Sequence, residues 1–346
     1  MNGGVSVVIC CHNSAKRLPE TLRHLAAQQV PKDIPWEIVV IDNASTDDTA
    51  EIARRYWPSA APAPLRVVYE LRPGTGNARF RSFSEARYEI VSFIDDDNWV
   101  TPDWISKVVH FFNNHPEVTA VGGPSKPVFE TAPPGWFAGI SISYALGDQH
   151  ACTGDITDQP GTLLWTAGMS LRRERLLELA DRGFRFLSCV GPSLPIKRGE
   201  DSELCFALRA VGARLYYDPI MAIEHFMPAE RLTWRYALQL AFILGETSPL
   251  LALYLMALNR PPFDAYPGWK KTWFFQKLKV LRQLSGIVLS HPLDCLLQPE
   301  GSMHALHFKE IVGQLVTLRA LYGRHKKLRE DIRQSPWAKG QSRPTG

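Results

Sequence analysis

Over the first 123 residues, short β-branched runs alternate with stretches of helical period, and this alternation leaves the chain very few folds. VSVVIC (5–10), WEIVVID (36–42), LRVVYEL (65–71), EIVSFID (89–95) and VTAVGG (118–123) read as strands. Between them, AKRLPETLRHLAAQQ sets Leu18, Leu22 and Leu25 on one helical face. STDDTAEIARRYW offers Ser45 or Thr46 as an N-cap, with Asp47 and Asp48 at the positive helix start. GNARFRSFSEAR is helical, and PDWISKVVHFFNNH opens a helix with Pro102. The pattern predicts an α/β fold: a mostly parallel sheet with helices on both faces. Ligands of such sheets bind beyond the carboxyl ends of the strands. One cleft should therefore gather Cys11, His12 and Asn13, then Asp42 and Asn43, then Arg72 to Gly76, then Asp95 to Asn98.

Asp95, Asp96 and Asp97 directly follow a run read as a buried strand, where like charges repel. Three readings compete. A helix N-cap in a solvated loop accounts for one carboxylate, not three. An acid/base pair needs two differently placed groups, and adjacent residues seldom both face one reacting atom. A divalent cation, Mn2+ or Mg2+, takes oxygen ligands and keeps positions open for water and phosphate. The cation reading accounts best for the cluster. No G-x-x-x-x-G-K-[ST] loop is present, and no G-x-G-x-x-G follows the first strand; Gly74 and Gly76 come after the third. A nucleotide here would be held by carboxylates and metal rather than by a glycine-rich cradle.

Residues 124–165 are rich in Pro, Gly and Trp and read as loops with short strands over the cleft. TLLWTAGMSLRRERLLELA reads as a strand then a helix, LPIKRGEDSELCFALRAVGA as a loop then an amphipathic helix, and RLYYDPIMAIEHF as one or two strands. Trp136, Phe137, Tyr144 and Trp165 could stack on sugar rings, though a core role suits most of them better. Beyond about residue 230 the chain becomes apolar, aromatic and helical. Gly245 to Pro249 interrupt 237–258, and Arg282 and Asp294 interrupt 280–297, so neither offers the roughly 20 apolar residues of a bilayer span. Amphipathic helices that pack on the core or on a second copy are expected. Peripheral membrane contact through 269–279, where Trp269, Trp273, Phe274 and Phe275 mix with lysines, ranks just behind.

The net charge of +4 is too small to imply nucleic-acid binding. MNGGVSVVIC runs straight into a strand without the features of a signal peptide, and the six cysteines form no C-x-x-C pair. The expectation is free thiols and a cytoplasmic location, including the inner face of the cytoplasmic membrane.

VSVVICCHNSAKRLPETLRHLAAQ, WEIVVIDNASTDDTAEIA, RPGTGNARFRSFSEARYEIVSFIDDDNWVTPDWI and GEDSELCFALRAVG, in this order and spacing, resemble the family 2 glycosyltransferases over residues 5 to about 230. The resemblance implies a GT-A, Rossmann-like catalytic domain over 1–230. Its nucleotide-sugar half would run to about 123 and its acceptor half over 124–230. A helical region would follow over 231–336, then a polar tail. It implies transfer, with inversion, from a nucleotide-diphosphate sugar to a saccharide or lipid-linked saccharide in cell-surface polysaccharide or glycolipid synthesis. Carried onto this chain, Asp42 resembles the nucleobase contact, with the backbone of Cys11 to Asn13 beside it, and Arg72 and Arg79 resemble donor contacts. Asp95 and Asp97 resemble the ends of a D-x-D motif. Asp97 would bind metal, and Asp95 or Asp96 would reach the ribose or sugar. Asp201, with Glu200 beside it, resembles the catalytic base, although acids at a helix start need no catalytic reason. His225 is an ordinary strand-end histidine or, as in some relatives, a ligand against metal or diphosphate. Two rivals remain: a nucleotidyltransferase, whose glycine-rich basic signature ICCHNSAKR lacks, and a catalytically dead sugar-nucleotide module.

Overall fold

The computed structural model describes residues 3–58, 61–159, 162–187 and 198–339; Cys189 and the tail beyond 339 lie outside the described residues. Four strands run parallel in the order β3 (Leu65–Glu70), β2 (Trp36–Asn43), β1 (Val5–Cys11), β4 (Ile90–Phe93). Every residue of β2, and nearly every residue of β1, is buried. Both sheet faces are covered, which is why these strands read as unbroken apolar runs. Val5, Val7, Ile9 and Cys11 face one hydrophobic cluster with α1 (Leu18–Ala26) and α4 (Trp104–Asn114). Val8 faces a second cluster with α3 (Thr75–Glu85). The register pairs Cys11 with Asp42 and Asn43 with Glu70, so the strand ends are level.

Beyond β4 the sheet departs from the expected run of parallel strands. β9 (Ser170–Arg172) inserts antiparallel between β4 and β6 (Ala120–Gly122); β10 (Leu215–Tyr217) and the edge strand β8 (Gly154–Asp155) follow. Buried hydroxyls hold the insertion: Ser170 Oγ donates to Ser92 Oγ at 2.9 Å, and Trp104 Nε1 donates to the same atom at 3.0 Å. A second sheet orders β5 (Asn98–Trp99), β11 (Ile223–Met227) and β7 (Ser125–Phe129). The two-residue β5 had no sequence signal. Its pairing of Asn98 with His225 brings the acidic turn beside the later strand.

Two expected helix starts differ. Helix α2 (Thr49–Tyr56) begins at Thr49, not beside Ser45 or Thr46. Those two residues bond the first loop instead: Asn13 N–H donates to Ser45 Oγ (3.1 Å), and Thr46 N–H donates to Asn13 Oδ1 (2.8 Å). Helix α4 begins at Trp104, two residues after Pro102.

In the C-terminal region, α7 (Trp234–Ala257) is one continuous 24-residue helix that runs through Gly245 and Pro249. By length and composition it could cross a membrane, contrary to the sequence reading, with a mean hydropathy of 1.6 in its most apolar window; 56% of that window is buried within the protein. It crosses α10 (Met303–Ala320) at Gly245 and Gly313. A Cβ on either glycine would collide with the other helix's backbone, at the Glu310 or Phe242 carbonyl oxygen. Leu250, Leu253 and Tyr254 of α7 share one hydrophobic cluster with α5 (Arg173–Asp181), α6 (Glu200–Ala210) and α11 (His325–Gln334), so the core runs across residue 230. Trp337, expected at the start of a polar tail, is buried against Phe184 and Tyr254. Trp273 and Phe275 of α8 (Trp273–Ser290) are not freely exposed: Trp273 Nε1 donates to the Leu318 carbonyl, and Phe275 packs edge-on against Trp269.

Candidate active site

The strand ends are laced together. His12 Nδ1 lies 2.8 Å from the Asn43 carbonyl oxygen. Asn43 Nδ2 donates to the Arg72 carbonyl (2.6 Å), and Asn43 Oδ1 accepts from Gly74 N–H (2.8 Å). Buried Asp42 accepts from Ser45 N–H at 3.2 Å. Arg72 turns its exposed guanidinium onto Glu70, with Nε–Oε1 at 2.9 Å. The Cys11 side chain points into the core, so only its backbone can serve a ligand; Cys10 lines the cleft instead.

The acidic turn meets three guanidiniums, one for each aspartate. Asp95 Oδ1 lies 3.7 Å from Arg79 Nη2, Asp96 Oδ2 accepts from Arg17 Nη2 at 2.7 Å, and Asp97 Oδ2 lies 2.9 Å from Arg231 Nη1. The sequence reading expected positive charge from metal and missed Arg17 and Arg231. Of the two carboxylates read as reaching ribose or sugar, Asp95 faces the cleft and Asp96 is committed to Arg17. Burial, together with the neighbouring carboxylates, lifts Asp95 to about 6 against the pull of Arg79. Burial also pushes Asp97 upward, but His225 and Arg231 outweigh it and hold that carboxyl well below the usual range.

Asp201 and Glu200 sit in the first turn of α6, across the cleft. Gly199 starts this turn with φ +113°, in the left-handed region, and a Cβ there would collide with the Thr247 methyl of α7. Thr247 Oγ1 donates to the Arg198 carbonyl at 3.2 Å, so the long helix anchors the loop that presents both acids. Thr166 Oγ1 donates to Asp201 Oδ1. Buried Arg79 Nη2 lies 4.0 Å from Asp201 Oδ1, and so stands between Asp201 and Asp95. Burial, then Asp201, raises Glu200 to about 7.

These groups line one cleft of about 890 Å³, which holds Arg79, Asp95 to Asp97, Glu200, Asp201, His225 and Arg231. It does not take in Cys11, His12, Asn13, Asp42 or Arg72, which lie along the carboxyl edge of the sheet outside it. Of the four aromatics weighed as a sugar platform but better suited to the core, Trp136, Phe137 and Tyr144 pack in a separate apolar cluster with Leu240, and Tyr144 and Trp165 border the cleft.

His225 Nε2 is 3.5 Å from Asp97 Oδ1, and His225 Nδ1 is buried without a partner. Among the described residues, no group of three or more His, Cys, Asp or Glu could hold a metal. One oxygen and one imidazole donor do not close a cage. The carboxylate oxygen suits a Mn2+ or Mg2+ ion, which would complete its shell from a phosphate ligand and water, whereas the imidazole is a poor donor to Mg2+.

Residues 6–166 match the sequence model of the family described as Glycosyl transferase family 2. They form a family 2 glycosyltransferase domain. Poly(ribitol-phosphate) beta-N-acetylglucosaminyltransferase TarS of Staphylococcus aureus is 29% identical over 150 residues, 41% of this chain and 26% of TarS. The chain thus spans about a quarter of that relative. Succinoglycan biosynthesis protein ExoM of Rhizobium meliloti is 23% identical over 245 residues, 70% of this chain and 73% of ExoM. Among solved structures, mannosyltransferase PcManGT from Pyrobaculum calidifontis, in complex with GDP-Man and Mn2+, superposes with a TM-score of 0.56 at 19% identity, covering 91% of this chain and 88% of PcManGT. Residues 1–349 of S. aureus TarS in complex with UDP give 0.50 at 20% identity, covering 92% and 91%. At these identities the structural likeness is one of fold, and at this coverage it reaches into the C-terminal helices.

Proposed function

We propose that this family 2 glycosyltransferase transfers a sugar, with inversion, from a nucleoside-diphosphate sugar to an acceptor hydroxyl in polysaccharide or glycolipid assembly. The observation that carries the reading is Arg79, whose guanidinium lies between Asp95 on the donor side and Asp201 on the opposite wall. Donor and acceptor groups thus face each other across one buried cation. The names of the relatives support the class: TarS is a beta-N-acetylglucosaminyltransferase, and PcManGT is complexed with a nucleotide sugar.

Asp201 accepts the proton of the acceptor hydroxyl as that oxygen attacks the anomeric carbon, a general-base contribution of about 10²–10⁴ in rate. The Thr166 hydroxyl occupies one carboxylate oxygen and orients the other. Arg79, 4.0 Å away, holds Asp201 in line. On the leaving side, Arg231 offers a fixed positive charge to the diphosphate, and Asp95 hydrogen-bonds the donor sugar or ribose. Asp42 and the backbone of Cys11 to Asn13, on the sheet edge, recognise the base. Asp97 and His225 would hold a Mn2+ or Mg2+ ion, which would neutralise charge on the diphosphate as a Lewis acid. In this reading residues to about 123 form the donor half and 124–230 the acceptor half.

Melting the chain with a panel of uridine and guanosine diphosphate sugars, with and without Mn2+, tests the donor class, because a native-state ligand raises the midpoint. Asp201→Asn should bind the stabilising donor and lose turnover. Unchanged turnover removes Asp201 from the role of base, and no stabilisation by any nucleotide sugar overturns the donor class.

A further inference from the structure

Helix α8 and the short α9 (Pro292–Leu297) carry an apolar face that no described part of the chain covers. Phe274, Leu278 and Leu281 are 70%, 53% and 41% exposed; Leu289, Leu293 and Leu296 continue the exposure at 82%, 68% and 77%. Soluble monomers rarely leave so many large apolar side chains contiguous in water. The α8 members follow the helical period, and Lys277 and Arg282 fall about 60–80° to either side of their stripe at about 100° per residue. Along α8 the charge is one-sided: residues 265–293 hold Lys270, Lys271, Lys277, Lys279 and Arg282 and no Asp or Glu, and the acid of α9, Asp294, lies 3.0 Å from His304 Nδ1. Two of these cations lie on tryptophan faces, Lys277 Nζ at 5.0 Å from the Trp273 centroid and Lys270 Nζ at 5.3 Å from the exposed Trp269. An apolar stripe flanked by cations, with a tryptophan at its edge, is the pattern of a helix lying in a membrane interface.

We propose that the α8–α9 face docks this chain on an anionic lipid surface. A second copy would suit the face poorly, because a two-fold contact would set the basic flanks of both copies against each other. The orientation follows from the same helix. Gln276, Lys279 and Gln283 line the catalytic cleft from the opposite face of α8, so docking sets the cleft one helix diameter, roughly 10 Å, behind the lipid surface. That last clause rests on the glycosyltransferase reading; the docking itself does not.

The test floats purified full-length chain with phosphatidylcholine vesicles, with and without about a third phosphatidylglycerol, at low and high salt. The chain should float with the anionic vesicles at low salt and be released by high salt. Lys277→Gln with Arg282→Gln should weaken binding by on the order of tenfold or more. Leu278→Glu with Leu289→Glu, at exposed positions, should abolish flotation while circular dichroism and melting midpoint are kept. Neither readout uses donor or acceptor, so failure here is distinct from failure of the proposed reaction. No flotation with anionic vesicles overturns the proposal. So does flotation untouched by the double glutamate, or a stable dimer by light scattering that the double glutamate splits.

Discussion

Glu200→Gln isolates the cost of crowding acids around one cleft. Asp95, Asp96, Asp97, Glu200 and Asp201 converge there against the guanidiniums of Arg17, Arg79 and Arg231. Burial, then the charge of Asp201, raises Glu200 from 4.5 to about 7, with Arg79 opposing. Between those values the folded state keeps a proton that the unfolded state has lost. Stability therefore falls as pH rises through the window, by at most about 1.4 kcal/mol per unit, and the loss is complete above about 7. Full linkage would give about 3 kcal/mol, and partial solvent access lowers this to about 1–3 kcal/mol. Glutamine keeps the shape and cannot ionise. At pH 8, without divalent ions, the variant should melt about 2–5 °C higher than the parent chain. By pH 4.5 the difference should vanish. Scanning calorimetry across that range is the assay. A variant no more stable at pH 8, or a gain that ignores pH, refutes the account of Glu200 as an acid held in its charged state at a cost.

Arg231→Ala leaves Asp97 buried without its 2.9 Å partner, so it should lose about 3–5 kcal/mol of stability and bind nucleoside diphosphate more weakly; calorimetry reads both, and no change in either removes Arg231 from the site. His225→Ala should weaken Mn2+ affinity measured in the presence of nucleoside diphosphate, and unchanged affinity together with unchanged turnover would leave His225 an ordinary strand-end residue. Gly313→Ala sets a methyl against the Phe242 carbonyl at the α7–α10 crossing, so the denaturant midpoint should fall by the equivalent of about 1–3 kcal/mol; an unmoved midpoint would mean that the helices separate at no cost.

The parts of this chain that could be read in advance are those written locally. β1 and β2 are buried on both faces, so their composition alone marks them as interior strands, and the residues that follow them meet at the sheet edge. Asp95 to Asp97 were visible as a problem of charge. Their solution was not, because Arg17 and Arg231 arrive from other elements and only tertiary contact pairs them with the turn. β5 is two residues long, too short for any period to appear, and the strand read ahead of α5 carried no sign that its three-residue β9 would insert antiparallel. Gly245 to Pro249 read as a gap in an apolar run, and Gly245 and Pro249 are each unfavourable in an isolated helix, by about 1 and 3 kcal/mol. In the folded chain Gly245 is what lets α10 approach, and that packing outweighs the local penalty.

How Asp97 divides its two oxygens bears on how the leaving group is handled. Oδ1 faces His225 and Oδ2 faces Arg231, so the guanidinium does not occupy the side on which imidazole and carboxylate converge. A divalent ion and Arg231 can then act together on one diphosphate, with Asp97 holding both. If so, the losses in diphosphate affinity from His225→Ala and Arg231→Ala are coupled through Asp97, and their sum should differ from the loss in the double variant by about 0.5–3 kcal/mol. Strict additivity in the presence of Mn2+ would mean that the two residues serve the ligand independently and that Asp97 is not their common support. Removing Asp97 itself, as Asp97→Asn, should erase the coupling, because the amide neither fixes the guanidinium nor ligates a hard cation comparably.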